Sequence, residues 1–228
     1  MRASAVDAGK RRIIILSLAA IVLLCAMVTI TLVSGVSQES FEIVRLPEIY
    51  AADLLAHAGA VRALFGLDSA FLVVYAAVFV TLGKEIATQS TRWLVPVGVG
   101  AMLATALLDM TEDHHVLAML YGAENGAGPT AAEIAFQHTM SQVKFNVSYL
   151  GSFFFGLSVP RHTTVGKVLA ALLTVGTLAQ GAWLYAAPVA TLPAGNLGRW
   201  IGYLLGFGLV IAMVRSRVVA APATGAPA

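Results

Sequence analysis

The sequence is poor in cysteine and in charge: it holds one cysteine, Cys25, and charged residues make up only 11% of its 228 positions. A single cysteine excludes internal disulfides, CxxC redox motifs and four-cysteine metal sites. No basic stripe interleaved with aromatic residues is present, which argues against a nucleic-acid partner. Apolar residues dominate instead, at 58% of the chain, with a mean hydropathy of +0.83. Since the surface of a soluble protein does not tolerate such a composition, the sequence predicts a protein whose solvent is lipid.

Six apolar stretches predict an all-α, polytopic membrane bundle, because a bilayer core requires about 20 apolar residues per transmembrane helix. We expect one integral membrane domain over residues 1–217, with six transmembrane helices. A tail rich in alanine and proline, residues 218–228, is predicted to be disordered. The predicted spans are about 13–34, about 68–83 with Asp68 or Ser69 as its cap, a third that begins after Arg92, a fourth that ends at Pro160, about 165–187 and about 198–214.

The lysines and arginines predict how the bundle is oriented, because these residues favour the cytoplasmic side of a membrane. With the N-terminus inside, ten of them fall on the cytoplasmic side, three fall outside and Lys144 is unassigned. The sequence therefore predicts a membrane protein with both termini in the cytoplasm. The connection over residues 38–66 then lies outside, and its apolar residues recur at helical spacing. This pattern predicts an interfacial amphipathic helix over about 47–66.

The stretch LLDMTEDHHVLAML, residues 107–120, places three acids and two histidines between apolar runs. Because apolar residues resume after the charged ones, we expect the third helix to persist from about 93 to 121. The fourth is expected to begin with Pro129 in its first turn and to continue to about 159. The linker YGAENGAGP favours a tight reversal, so the two helices should form an antiparallel hairpin with its apex near residue 125.

Counting in both directions from that apex brings opposite charges to the same level of the hairpin. Glu112 comes level with His138, and Asp109 comes within about a turn of Lys144. Ionisable side chains are costly against lipid and turn towards partners or water. The sequence therefore predicts a buried ionic cluster in which Lys144 pairs with Asp109 or Glu112, and His138 lies near Glu112 or Asp113. Its predicted members are Asp109, Glu112, Asp113, His138 and Lys144.

Two functional interpretations of this cluster differ in class. One lysine and one carboxylate are enough to lock two helices together, which is what a structural or accessory subunit of a larger membrane complex needs. Two further carboxylates and a histidine exceed that need, and neighbouring acids favour proton uptake. This surplus favours proton- or cation-linked movement of a small solute or ion. In that hypothesis Asp109 and Glu112 exchange ions, Lys144 is the counter-charge and His138 tunes or relays.

A third interpretation is a membrane-embedded, metal-dependent enzyme. Glu112 and His115 share a helical face, and His138 could add a ligand, as in carboxylate-bridged metal bundles. Such bundles carry two Glu-x-x-His pairs and this sequence carries one, so a metal site is disfavoured. The spacing of the histidines does not require a haem, and neither a G-x-S-x-G elbow nor a complete S-x-x-K set, with its S-D-N and K-T-G motifs, is present. We therefore expect no cofactor and assign no catalytic residue.

Three glycines in the last apolar stretch form a ridge that permits close approach of helices: Gly198, Gly202 and Gly206. Small residues spaced four apart are typical of packed transmembrane helices. The ridge is expected to pack within the bundle or between protomers. The expected partners are the lipid bilayer, a small solute or cation, and a second copy of the chain or a larger membrane complex.

The stretch LLDMTED, followed some thirty residues later by QVKFNVSYLGSFFFG, resembles a pattern in uncharacterised small polytopic bacterial inner-membrane proteins. In that pattern an Asp-x-x-Glu-Asn helix precedes a helix that opens with a lysine and an aromatic residue. This sequence departs from it in having Asp113 where an asparagine is usual. The resemblance covers about 50 residues. It implies an inner-membrane protein with Asp109, Glu112 and Lys144 as its marked positions, and it implies no activity.

Overall fold

The computed structural model describes the backbone of residues 2–186 and 192–219 and the side chains of residues 8–186 and 195–216. Every regular element in these residues is helical, which confirms the predicted all-α class for them. A π-helical turn joins α6 and α7 into one continuous helix. The helices are α1 (Arg2–Ser34), α2 (Pro47–Ala56), α3 (Ala58–Ile86), α4 (Leu94–Glu124), α5 (Ala131–Ser158), α6 (Thr164–Ala171), α7 (Thr177–Ala186) and α8 (Leu192–Val219).

In the described parts of the chain, five helices are long and apolar enough to cross a membrane, which makes the chain an integral membrane protein. Six spans were predicted, and the sixth candidate, α5, does not reach the same apolarity. Its 28 residues are long enough, but its first half carries Gln137, His138, Ser141 and Lys144. The five are Ala8–Ser34, Ala58–Ile86, Leu94–Glu124, Thr164–Ala186 and Gly195–Ser216.

Short connections join α3 to α4, α4 to α5 and α5 to α6, so these long helices run alternately up and down. One end of the bundle carries α2 and the turn after α4, and we call it the α2 end. The opposite end carries the start of α1 and the turn after α5. Basic residues with described side chains are divided unequally between the ends. Arg45, Arg62 and Arg199 lie toward the α2 end, and the opposite end has Lys10, Arg11, Arg12, Lys84, Arg92, Arg161, Lys167 and Arg215.

The predicted interfacial helix over about 47–66 is interrupted in the structure. Helix α2 ends at Ala56, and His57 adopts a non-helical backbone conformation (φ −116°, ψ 20°) before α3 begins. Residues 58–66 therefore extend the second predicted span instead of continuing the surface helix. The apolar periodicity runs through both pieces, because each of them buries one face against the bundle. Periodicity alone could not locate the break.

Helix α2 is fastened to the bundle by Tyr50 and Leu54, which are both fully buried. The Tyr50 hydroxyl donates a hydrogen bond of 2.9 Å to the carbonyl oxygen of Phe41, in the 3-10 turn that follows α1. Burial raises the pKa of Tyr50 well above its ordinary value, so the hydroxyl stays a neutral donor. This bond holds the connection between α1 and α2 over the end of the bundle.

Helices α4 and α5 form the predicted hairpin and make the most extensive helix–helix contact in the described residues. Gly98 allows the close approach, because a Cβ there would stand 2.9 Å from Phe155 Cδ2. The turn uses Gly126 in a left-handed conformation (φ 81°). Thr130 caps α5 by accepting a hydrogen bond of 3.2 Å from the Glu133 backbone. Pro129 therefore precedes the cap and does not lie in the first turn as predicted.

The tail predicted to be disordered, residues 218–228, is only partly within the described residues. Its first two residues are the last two of α8, which ends at Val219. The remainder, residues 220–228, lies outside the described residues.

Candidate functional site

Seven ionisable side chains meet inside the half of the bundle nearer the α2 end, and we call this group the acid cluster. They come from α3, α4, α5, α8 and the connection that follows α1. The four members nearest the centre are almost completely buried, with exposed fractions of 2 to 5%. The members are Glu42, Asp68, Asp109, Glu112, Asp113, Lys144 and Arg199.

Lys144 is the centre of this cluster. Its Nζ lies 2.7 Å from Glu112 Oε2, 2.8 Å from Asp109 Oδ1 and 3.2 Å from Glu42 Oε1. The ammonium donates hydrogen bonds to Asp109 and Glu42, and its contact with Glu112 is an ion pair. The sequence predicted a partner in Asp109 or Glu112, and the structure places both of them against Lys144. Glu42 is a third partner that the hairpin register does not indicate.

Glu112 is held by uncharged partners as well as by Lys144. Its Oε1 accepts a hydrogen bond of 3.1 Å from Gln137 Nε2 and another from the hydroxyl of Ser141. Gln137, Ser141 and Lys144 recur at intervals of four and three residues, so they lie on one face of α5. The hairpin register predicted His138 at this level, and the structure places Gln137 and Ser141 against Glu112 instead.

Neither His138 nor His115 contacts a carboxylate of the acid cluster directly. His138 donates through Nδ1 to the carbonyl oxygen of Glu42 at 2.8 Å, and His115 donates through Nδ1 to Gln137 Oε1 at 2.7 Å. His138 therefore lies against the connection after α1 instead of against Glu112 or Asp113. Among the described residues, Glu112, His115 and His138 do not bring ligand atoms together. The expected set of possible metal ligands is thus not assembled.

A second group of acids lies beside the lysine, on α3 and α4. One carboxylate oxygen from each of Asp68, Asp109 and Asp113 lies within 4.8 Å of the other two. Asp109 and Asp113 are one helical turn apart, which puts them on the same face of α4. Asp68 was predicted to be a helix cap, but the structure places it inside α3 with 5% of its surface exposed. In the sequence, Asp68 is marked only as an acid at the edge of an apolar run.

Two members of the acid cluster, Glu42 and Arg199, come from distant parts of the chain. Arg199 of α8 lies 3.8 Å from Glu42, and its guanidinium carbon stands 3.5 Å from the centre of the Phe145 ring. Trp200 donates a hydrogen bond of 2.6 Å through Nε1 to Glu39. These contacts tie α8 to the connection after α1. No spacing in the sequence relates these segments, so only the folded chain reveals the contacts.

Of the cavities that adjoin the acid cluster, two share lining residues. The smaller, of about 60 Å³, is lined by Asp68 and Asp109 and reaches Glu39 and Glu42 at the α2 end. The larger, of about 360 Å³, lies between α3, α5, α7 and α8, and its wall is mostly apolar. Three side chains line both cavities: Tyr75, Arg199 and Tyr203.

The glycine ridge of α8 lies on the wall of the larger cavity. A Cβ on Gly198 would stand 3.4 Å from Gln180 Nε2, and one on Gly206 would meet no atom within 4 Å. Within the described residues Gly206 therefore does not serve close packing of helices, and the ridge instead leaves space open beside Gln180. Packing between protomers through this ridge stays a prediction.

The charges of the acid cluster do not balance. Five carboxylates face two cations, so full ionisation would leave a net charge of −3. Unpaired charge is costly in a buried site, and such a site lowers the cost by taking up protons or cations. The chemical capacity of this arrangement is therefore the reversible uptake of positive charge.

A comparison of the sequence with protein-family models, with curated proteins and with solved structures finds no match.

Proposed function

We propose that the protein moves a small solute or ion across the membrane and that this movement is linked to protons or cations. Asp109 and Glu112 are the proposed exchange groups, and Lys144 is their counter-charge. The observation that carries the proposal is the surplus of five buried or half-buried carboxylates over two cations. A purely structural ion pair needs no such surplus, whereas ion exchange does.

The two cavities support this proposal because they join a polar region to a solute-sized space. Tyr75, Arg199 and Tyr203 line both, so a molecule in the larger cavity would lie next to the acid cluster. The larger cavity is mostly apolar, with Ser148 and Gln180 among its few polar groups. This combination is typical of sites for small organic molecules.

We propose α5 as the sixth span, which makes the path across the membrane complete. Gln137, Ser141 and Lys144 of α5 are buried against α4, and an apolar stripe at intervals of seven residues faces outward. A helix that hides its polar face in this way presents an acceptable surface to lipid although its mean composition is less apolar. The outward stripe consists of Phe136, Val143, Leu150 and Leu157.

Six spans place both ends of the chain on the same side of the membrane. The end of the bundle opposite α2 holds most of the basic residues, so we propose that it faces the cytoplasm of a bacterial cell. The acid cluster then lies in the outer half of the membrane. It opens to the outside through the small cavity that reaches Glu39 and Glu42.

Proteoliposomes test the proposed function directly. We expect vesicles that contain the protein and a pH-sensitive or Na⁺-sensitive dye to show a flux that protein-free vesicles lack. The Asp109→Asn variant should lose the flux, while retaining its elution profile and helical circular dichroism. Glu124→Gln is the matched control, because it changes another acid of α4 that pairs with Arg62 at the surface. Its flux should equal that of the wild type.

The opposite outcome would favour the accessory-subunit interpretation. Lys144 joins α4, α5 and the connection after α1 through Asp109, Glu112 and Glu42, which is also what a structural lock would do. A wild type without flux of either ion, together with an Asp109→Asn variant that fails to fold, would support that role. The protein should then co-purify with other subunits from its native membrane.

A further inference from the structure

Asp68 and Asp113 are buried acids that the lysine does not neutralise. Asp113 is 2% exposed, and neither acid forms an ion pair among the described residues. The Oδ2 atom of Asp113 is buried and has no hydrogen-bond partner there. A buried oxygen of this kind requires a positively charged or proton-donating neighbour, because its desolvation is otherwise uncompensated.

We propose that Asp68, Asp109 and Asp113 form a binding site for a hard cation, such as Na⁺ or Ca²⁺. All three contribute carboxylate oxygen, the ligand atom that hard cations prefer, and no cysteine or histidine ligand joins them within the part of the chain that the structure describes. Calcium–oxygen bonds are about 2.3–2.6 Å long, so two ligands on opposite sides of one ion are about 5 Å apart. The oxygens of the three acids lie within 4.8 Å of one another, which matches that spacing.

The number of converging acids favours a metal cation over a shared proton. A proton bridges two oxygens, whereas three carboxylates from two helices converge at this point. Asp109 already accepts from Lys144, so a proton between Asp68 and Asp113 would leave the third acid outside the arrangement. A cation at the centre contacts all three. The cation also makes the net charge of the acid cluster less negative, by one or two elementary charges.

The remaining coordination positions can be filled by neutral oxygens. Thr105 lies one turn before Asp109 on the same face of α4, and it is 5% exposed. Its hydroxyl donates 2.9 Å to the carbonyl oxygen of Ala101, which leaves its oxygen lone pairs free. The cavity of about 60 Å³ beside Asp68, Thr105 and Asp109 has volume for water molecules as further ligands.

The surrounding charges determine how strongly the site binds. Lys144 and Arg199 repel a cation, while Glu42 and Glu112 attract one and partly offset them. The same small cavity reaches Glu39 and Glu42, so an acid-lined route leads from the α2 end to Asp68 and Asp109. Negative side chains along such a route raise the local concentration of cations.

As the coupling ion of transport, this cation rests on the proposed function, but its binding is measurable without any transport. Purified wild-type protein in detergent is titrated with NaCl, MgCl₂ or CaCl₂ against choline chloride at equal ionic strength. We expect at least one of these cations to raise the unfolding temperature in a saturable manner, because a ligand of the folded state stabilises it. Isothermal titration calorimetry should show one site per chain.

Asp68→Asn and Asp113→Asn should abolish the saturable shift, because each removes a charged ligand while its amide preserves the shape. Thr105→Ala removes only a neutral ligand and should weaken binding several-fold without loss of folding. This variant keeps the test decisive should an aspartate variant fail to fold. Asp53→Asn is the control, because Asp53 lies in α2 and pairs with Arg45 away from the site. It should bind as the wild type does.

Three results would overturn the site. One is a wild type that none of the three cations stabilises beyond choline. Another is binding that Asp113→Asn and Thr105→Ala leave unchanged. The third is an infrared band of a protonated carboxylic acid that Asp113→Asn removes in a protein insensitive to cations, which would identify the occupant as a proton. Cation binding without flux in proteoliposomes would contradict only the proposed function, and flux without cation binding would contradict only this site.

Discussion

Helix α4 carries two ion-pair regions that resemble each other in distance and differ in burial. At its end, Glu124 lies 2.5 Å from Arg62, and the two side chains are 32% and 50% exposed. Near its middle, Glu112 lies 2.7 Å from Lys144, and these are 4% and 5% exposed. Water screens the first pair and leaves it little net worth. The second pair has no water to replace a lost partner, so burial, and not distance, decides what each pair does.

The two regions differ also in their surroundings. Arg62 has one acidic partner, whereas Lys144 has three, and further acids lie beside them. Separation of Arg62 from Glu124 therefore leaves two charges that water solvates. Loss of Lys144 leaves several buried ones at once. Variants in both regions test this difference. For each variant, the change in the free energy of unfolding is measured in detergent.

Lys144→Met should have the largest effect, a loss of about 3 to 5 kcal/mol, because it leaves buried carboxylates without their counter-charge. Chemical denaturation followed by circular dichroism measures it. Lys84→Met is the control, since Lys84 belongs to α3 and is exposed. A loss for Lys144→Met as small as that of the control would contradict the role of Lys144 as the centre of the acid cluster.

Glu112→Gln should cost less, about 1 to 3 kcal/mol, because one buried charge-assisted contact is lost. Lys144 keeps Asp109 and Glu42 as partners. The glutamine can still accept a hydrogen bond from Ser141, so the shape of the site is preserved. The same denaturation experiment tests this, and an effect equal to that of Lys144→Met would show that Glu112 alone neutralises the lysine.

A double-mutant cycle of Lys144→Met and Glu112→Gln should give a coupling of about 0.5 to 3 kcal/mol, as expected for residues in direct contact. The matched cycle of Arg62→Ala and Glu124→Gln at the surface should give a coupling near zero. Equal couplings in the two cycles would show that burial does not distinguish the regions.

Arg62→Ala should have the smallest effect on stability, one that disappears as salt is added, because water and ions already screen the pair. Thermal unfolding at low and high NaCl concentration measures this dependence. A large effect that persists in high salt would mean that Arg62 and Glu124 hold α3 and α4 together, which would contradict the view that water screens this pair.

The hairpin register could be predicted because an α-helix has a fixed rise and period. Asp109, Glu112 and Lys144 met as this counting indicates, since the turn near residue 125 fixes both helices. The same counting placed His138 on the buried face, although Gln137 occupies it. An error of one residue rotates a side chain by about 100°, which is enough to turn it from one neighbour to another.

The sequence by itself determined the solvent, the helical class and the pairing of two consecutive helices. Composition and local periodicity carry this information, because lipid demands apolar surfaces and backbone hydrogen bonds satisfied within each helix. Only the tertiary structure decided that Asp68, Glu42 and Arg199 join the acids of α4. Those side chains come from three separate segments, and the packing of helices that are not neighbours in the chain brings them together.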